Sequence, residues 1–175
     1  GDLMTITGNI ADLPNITNQI FMQGNSITLT GNIADLPNVS TEVFFQGNSI
    51  TLTGNIANLP SVTGRIFFVG NNIALNGDIA NTPTTNNILN IQSLNTTLTY
   101  TAGRVWQNLT QILLRLKVGS LTATEVDNLL IDLNNSPLFT GSGTIDLRGN
   151  SAAPTVASLA ARNSLVAKGK TILTN

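Results

Sequence analysis

Short apolar runs alternate with polar positions at a fixed interval along the first hundred residues. Ile20-Phe21-Met22, Val43-Phe44-Phe45 and Ile66-Phe67-Phe68 begin at equal intervals along the chain, and each leads through a Gly-Asn pair to a second alternation such as Ile27-Thr28-Leu29-Thr30. Period-two alternation belongs to strands, because successive side chains of an extended chain point to opposite faces. Each copy therefore predicts two short strands. A constant interval between roughly 20 and 50 residues marks stacked repeat architectures, in which one unit buries its apolar face only against its neighbours.

Three copies are nearly identical, Gly8 to Thr30, Gly31 to Thr53 and Gly54 to Asn76, each opening with Gly-Asn-Ile-Ala-x-Leu-Pro. A fourth, Gly77 to Thr99, keeps Ile79, Pro83, Leu89, Ile91 and Leu98 in register but has Ser93-Leu94 in place of the Gly-Asn pair. Leu13-Pro14, Leu36-Pro37 and Leu59-Pro60 fix the link between strands, since proline locks its own φ and biases the residue before it to an extended shape. Gly1 to Asn9 aligns with Gly24 to Asn32, so the chain starts halfway through a copy, and further copies or a larger protein are expected upstream.

Beyond Thr99 two signals compete. Val105, Trp106, Leu109, Ile112, Leu113 and Leu116 sit at helical spacing, yet Ile112 falls one full repeat interval after Leu89, where the next strand is due. The repeat predicts a strand over Ile112 to Leu116. Ser120 to Leu133 reads as a helix, with Thr122 and Glu125 as a capping box and Val126, Leu129, Leu130 and Leu133 as its apolar stripe, ending before Pro137. Gly143 to Leu147 returns to strand. A second helix is expected from Pro154 through Lys168, marked by Val156, Leu159 and Leu165 with Gly169 after its last turn, before a last strand over Thr171 to Leu173. Residues 1–118 are thus expected as a β-rich repeat part and 119–175 as a strand-helix part with a C-terminal cap, in one continuous array.

Ile20-x-Met22-x-x-Asn25, Val43-x-Phe45-x-x-Asn48, Ile66-x-Phe68-x-x-Asn71 and Ile145-x-Leu147-x-x-Asn150 resemble the Leu-x-Leu-x-x-Asn core of leucine-rich repeats. The resemblance implies a solenoid of parallel strands whose paired apolar positions face inward and whose asparagines form a buried ladder. Two features depart from the family: Thr17, Ser40 and Thr63 stand where a leucine usually precedes the strand, and β-branched or aromatic residues replace most leucines. The fold class expected is a repeat β-solenoid, leucine-rich-repeat-like, with α/β repeats at the C-terminal end.

Composition narrows the functions. Charged residues are only 10% of the chain and the net charge is −1, so Thr, Asn, Ser and Gln must cover the surface, and no basic stripe exists to neutralise a nucleic-acid backbone. The absence of Cys and His removes thiol nucleophiles, disulfides and Cys/His zinc sites. No apolar run reaches the roughly 20 residues that span a bilayer, and no membrane insertion is expected. Glu125, Asp127 and Asp132 on the first helix and Asp146 beside Arg148 are not set by any motif at a catalytic or metal-binding separation, so neither a catalytic residue nor a cofactor or metal is expected. The repeated Gly-Asn pairs precede strands rather than helices, which argues against a phosphate loop. The sequons at Asn15, Asn38, Asn95 and Asn108 read as by-products of Asn/Thr richness.

If Ile20, Val43 and Ile66 face the core, the outward column is Phe21, Phe44, Phe67, Asn90 and Leu113. Gln19, Glu42, Arg65 and Gln111 flank it on one side, and Gln23, Gln46, Val69, Gln92 and Arg115 on the other. An apolar stripe with a polar rim is the pattern of a binding surface. Phe21, Phe44, Phe67, Gln19, Glu42, Arg65, Gln23 and Gln46 are accordingly the candidate ligand contacts, Glu42 and Arg65 being at most diagonal neighbours in a solvated ion pair. The alternative is that both faces of the sheet are covered. On the second strands, Thr5, Thr28 and Thr51, with Thr7, Thr30 and Thr53, form an outward hydroxyl array, for which simple strand preference suffices.

The expected function is a non-enzymatic recognition or adhesion module for a protein or glycan on a cell surface. Charge-poor, Thr/Asn-rich and cysteine-free, the chain resembles repeat modules of bacterial surface proteins and phage tail fibres, which implies an extracellular, cell-surface or virion setting. The competing reading is a structural spacer whose Phe stripe is buried in a homo-oligomer.

Overall fold

A computed structural model of the chain describes residues 6–83, 87–93, 95–116 and 121–175. The predicted boundary between residues 118 and 119 lies outside them, as do Thr5, Leu94 and Ser120. The chain forms β1 (Ile6–Asn9), β2 (Gln19–Gln23), β3 (Ile27–Asn32), β4 (Glu42–Gln46), β5 (Ile50–Asn55), β6 (Arg65–Gly70) and β7 (Asn72–Asp78). Then come β8 (Ile88–Ser93), β9 (Thr97–Thr99), β10 (Gln111–Leu116), α1 (Ala123–Asn135), β11 (Gly143–Asp146), α2 (Leu159–Ala167) and β12 (Lys170–Leu173).

The strands assort into two parallel sheets, five strands in the order β1-β3-β5-β7-β9 and seven in the order β12-β11-β10-β8-β6-β4-β2. The first strand of every copy joins the seven-stranded sheet and the second joins the five-stranded one. Between them lies one apolar layer. Ile20, Val43, Phe45, Ile66 and Phe68 enter it from one side, and Leu29, Ile50, Leu52 and Ile73 from the other, all buried. Phe45 and Phe68 stack there with ring centroids 5.8 Å apart.

The two sheets differ in register. In the seven-stranded sheet Gln19 faces Glu42 and Glu42 faces Arg65, so partners are one full repeat apart and equivalent positions line up. In the five-stranded sheet Thr30 faces Thr51 and Thr51 faces Asn72, an offset two positions short of the repeat. Thr51 therefore meets Thr30 rather than Thr28, and the expected hydroxyl columns are sheared by two residues at each step. A fixed sequence period is silent about such a shear.

Each copy turns between its sheets on a three-residue 3-10 turn, Ile10–Asp12, Ile33–Asp35, Ile56–Asn58 and Ile79–Asn81. Asn9, Asn32, Asn55 and Asp78 cap these turns, their side-chain oxygens accepting from the backbone N–H two residues on. One set of Gly-Asn pairs thus precedes a helical turn, contrary to expectation, while Gly24-Asn25 and Gly47-Asn48 do precede strands. The glycine before the cap is required: a Cβ on Gly54, whose φ is +130°, would lie 2.4 Å from Asn32 Oδ1 in the copy below.

In the C-terminal part the seven-stranded sheet runs on through β10, β11 and β12, with α1 and α2 packed side by side where the second strands would have been. Residues 111–116 are strand, as the repeat predicts, because they pair in register with Ile88–Ser93 and bury Ile112, Leu114 and Leu116. Helix α1 starts at the predicted capping box, with Thr122 and Glu125 in reciprocal hydrogen bonds, and ends at Asn135. Helix α2 departs from expectation. Residues 156–158 form a 3-10 turn, leaving Val156 and Leu159 exposed, and only Ala161 and Leu165 reach the interior.

Candidate recognition surface

The outward column of the seven-stranded sheet assembles as the register requires. Phe21 faces Phe44 and Phe44 faces Phe67, with ring centroids 4.3 and 4.2 Å apart and planes tilted by 13° and 8°. In-register parallel strands repeat the same side-chain direction every ~4.8 Å, which brings identical rings face to face. Phe68 is fully buried, so the in/out assignment holds at this strand.

Exposure along the stack is uneven. Phe21 is 47% exposed, Phe67 is half-buried and Phe44 is only 5% exposed. Phe44 points outward yet is covered by a ring on each side and by the Arg65 guanidinium, whose carbon lies 4.8 Å from the ring centroid. The predicted stripe of three open rings is therefore one open ring, one edge and one filled centre.

Glu42 and Arg65 are direct cross-strand partners rather than diagonal neighbours, with Arg65 Nε donating to Glu42 Oε1 at 2.5 Å. Gln19 and Gln23 are exposed beside Phe21, and Gln46 is half-buried. All eight predicted contacts thus lie on one face around the stack.

Further along the same column stand Asn90, buried and accepting from Gln92 Nε2 at 2.8 Å, then Leu113 and Asp146. The role of Asp146 escaped the sequence reading, because α1 lengthens the connection and sets it farther than one repeat beyond its partner Leu113. Its side chain is fully covered. Arg115 Nε donates to Oδ2 at 2.6 Å, and Arg148 Nε and Nη2 donate at 3.0 and 2.9 Å. Burial alone would raise this carboxyl, but hydrogen bonds from Arg148 and Arg115, with the Arg115 charge, hold it down to about 2.

A groove of about 410 Å³ runs beside the stack at the carboxyl ends of β4, β6, β8 and β10, bordered by Gln46, Val69, Gln92 and Arg115. Asn25, Asn48 and Asn71 form its far edge. Asn48 Nδ2 donates to Asn25 Oδ1 at 3.3 Å and Asn71 Nδ2 to Asn48 Oδ1 at 3.2 Å. The ladder implied by the family resemblance exists, but it is exposed rather than buried. The same spacing recurs in Ile27-x-Leu29-x-x-Asn32, and there the asparagine does serve a turn, as its cap.

The helix carboxylates are engaged in joining elements. Asp127 accepts from Thr155 N and Ser158 Oγ at 2.9 and 2.5 Å, and Asp132 accepts from Tyr100 Oη and Gly103 N at 2.7 and 2.6 Å. Glu125 accepts from Thr122 and Tyr100 backbone N–H groups. Among the described residues no three of Asp, Glu, Cys and His gather as metal ligands. Comparison with known proteins finds no family model, curated protein or solved structure that matches this chain.

Proposed function

We propose that this chain is a non-enzymatic recognition or adhesion module, a leucine-rich-repeat-like solenoid that presents the outer face of its seven-stranded sheet to a protein or glycan. The observation that carries the reading is the stacked trio Phe21, Phe44 and Phe67 on that face, open at Phe21 and rimmed by Gln19, Gln23, Glu42 and Arg65. Aromatic surface held rigid by its neighbours loses little freedom on meeting a partner, which favours contact there.

Stacking geometry supports the solenoid and favours a concave form for this face. Strands repeat about every 4.8 Å in the seven-stranded sheet. Helices such as α1 and α2 need about 8 to 10 Å between axes. Unequal spacing bends a stack toward its tighter side. The charge-poor, Thr/Asn-rich, cysteine-free composition favours a bacterial surface protein or a phage tail fibre, hence an extracellular or virion setting.

The test is binding of the labelled chain to a panel of intact bacterial cells by flow cytometry. Binding to a subset of cells that is lost on Phe21→Ser is expected; binding unchanged by that substitution contradicts the proposal. A spacer or self-assembly role is the second reading. It is favoured by the open Phe21 ring, which offers a surface that an identical ring of a second copy would match.

A further inference from the structure

We infer that the groove beside the phenylalanine stack binds an acidic oligosaccharide, a carbohydrate chain bearing carboxylates, with Arg115 receiving a carboxylate. This rests on the reading of the seven-stranded sheet as a recognition face and names the ligand class for one part of it.

The lining of the groove sets the class. Side-chain amides of Gln46, Asn48, Asn71 and Gln92 border it, and among the described residues Val69 is its one apolar side chain and no carboxylate lines it. Each amide carries donors and an acceptor, the combination that sugar hydroxyls require. A drug-sized apolar ligand wants a deep hydrophobic pocket, and a protein interface wants a desolvated apolar centre; this groove has neither. The Asn25-Asn48-Asn71 ladder repeats its amides once per strand, about 4.8 Å apart, so the matching ligand is a chain lying across the strands.

Charge sets the acidic character. Arg115 and Arg148 share the single carboxylate of Asp146, which leaves these three groups with one unit of positive charge, and of the three Arg115 lines the groove. Guanidinium groups keep that charge at any working pH. Asp146, itself fully covered, accepts from Arg115 Nε and pairs with Nη2, while Arg115 Nη1 donates to Oε1 of the groove-lining Gln92 at 3.4 Å. The guanidinium is thus pre-oriented, and the Arg115 side chain remains 43% exposed. A fixed, partly exposed guanidinium edge is the geometry that recognises a carboxylate.

The experiment titrates the intact chain with tetragalacturonate and, separately, with the uncharged cellotetraose, followed by calorimetry and by the side-chain amide signals of Gln92 and Asn71. Tetragalacturonate is expected to bind at least about tenfold more tightly than cellotetraose, to move both amide signals, and to weaken as salt screens the contact. Arg115→Gln should lower its affinity about tenfold or more and Arg115→Lys by less. Because Arg115 also supports Asp146, Val69→Glu serves as a second variant: it puts a carboxylate into the groove, leaves the Asp146 cluster intact and should abolish binding of the acidic tetramer. Equal affinity for the two tetramers overturns the acidic assignment while leaving the recognition face standing. If neither tetramer moves the groove signals, the groove is not a glycan site, and the recognition face is then judged separately by the Phe21→Ser cell-binding result.

Discussion

The Arg65 guanidinium lies over the Phe44 ring, its carbon 4.8 Å from the ring centroid, while its Nε is held by Glu42 Oε1 at 2.5 Å. One side chain thereby joins the charged rim to the aromatic stack. The Arg65 side chain is 40% exposed, so its ion pair is worth at most about 1 kcal/mol. The ring contact adds about 0.5 to 1 kcal/mol that does not depend on Glu42. Arg65→Ala should therefore lower stability by about 1 kcal/mol and Glu42→Ala by less, as read from urea unfolding midpoints. Equal losses would mean that the guanidinium acts through the ion pair alone.

Phe44 and Phe21 should separate packing from recognition. Phe44 is buried between two rings, and Phe44→Ala should cost about 3 kcal/mol, the lower end for removing a buried aromatic side chain. Phe21 is half open, and Phe21→Ser should cost about 1 kcal/mol or less. Thermal or urea unfolding of both variants checks the order; a larger loss at Phe21 would contradict the observed exposure.

Gly54 tests the stacking of copies. A side chain there meets Asn32 Oδ1 of the copy below and adopts a φ of +130° that L-residues avoid. Gly54→Ala should lose about 2 kcal/mol or more. Gly103, also at positive φ but with open space around its Cβ position, should lose less on the same change. Similar unfolding midpoints for the two variants would remove the close approach as the cause.

Asp146 makes stability depend on acid. Its carboxyl sits at about 2 in the folded chain against 3.8 for an unperturbed aspartate. A folded value below the unfolded one means the stabilisation is complete above the unfolded value and disappears as pH falls through the folded one. The window is therefore between about pH 4 and pH 2, and its size about 2 kcal/mol. Asp146→Asn should flatten the stability profile in that window. An unchanged profile would show that the two arginines do not hold the carboxyl down.

Where one residue type at a fixed interval dictated the outcome, the fold was legible. The repeat period outweighed the helical spacing of Val105, Trp106, Leu109 and Ile112, and Gln111–Leu116 is a strand because pairing with Ile88–Ser93 decides over local periodicity. The capping box of Thr122 and Glu125 placed the start of α1. Alternation also gave the right face for Phe21, Phe44 and Phe67, but a face is not an exposure, and the burial of Phe44 depends on neighbours that alternation does not describe. The shear of the five-stranded sheet left no trace in the period. At Val156 and Leu159 a tighter 3-10 turn shifted the phase of the apolar stripe before α2 began, which turned both residues to solvent. Asp146 reached Arg115 only through a pairing that α1 had moved off the repeat interval.

The molar mass of the intact chain in solution, measured by light scattering over a wide concentration range, tests most directly whether the phenylalanine face is kept for a partner. A recognition surface predicts 18.4 kDa throughout, unchanged by Phe21→Ser. A dimer or trimer that falls back to 18.4 kDa on Phe21→Ser would contradict it and make the face an assembly surface.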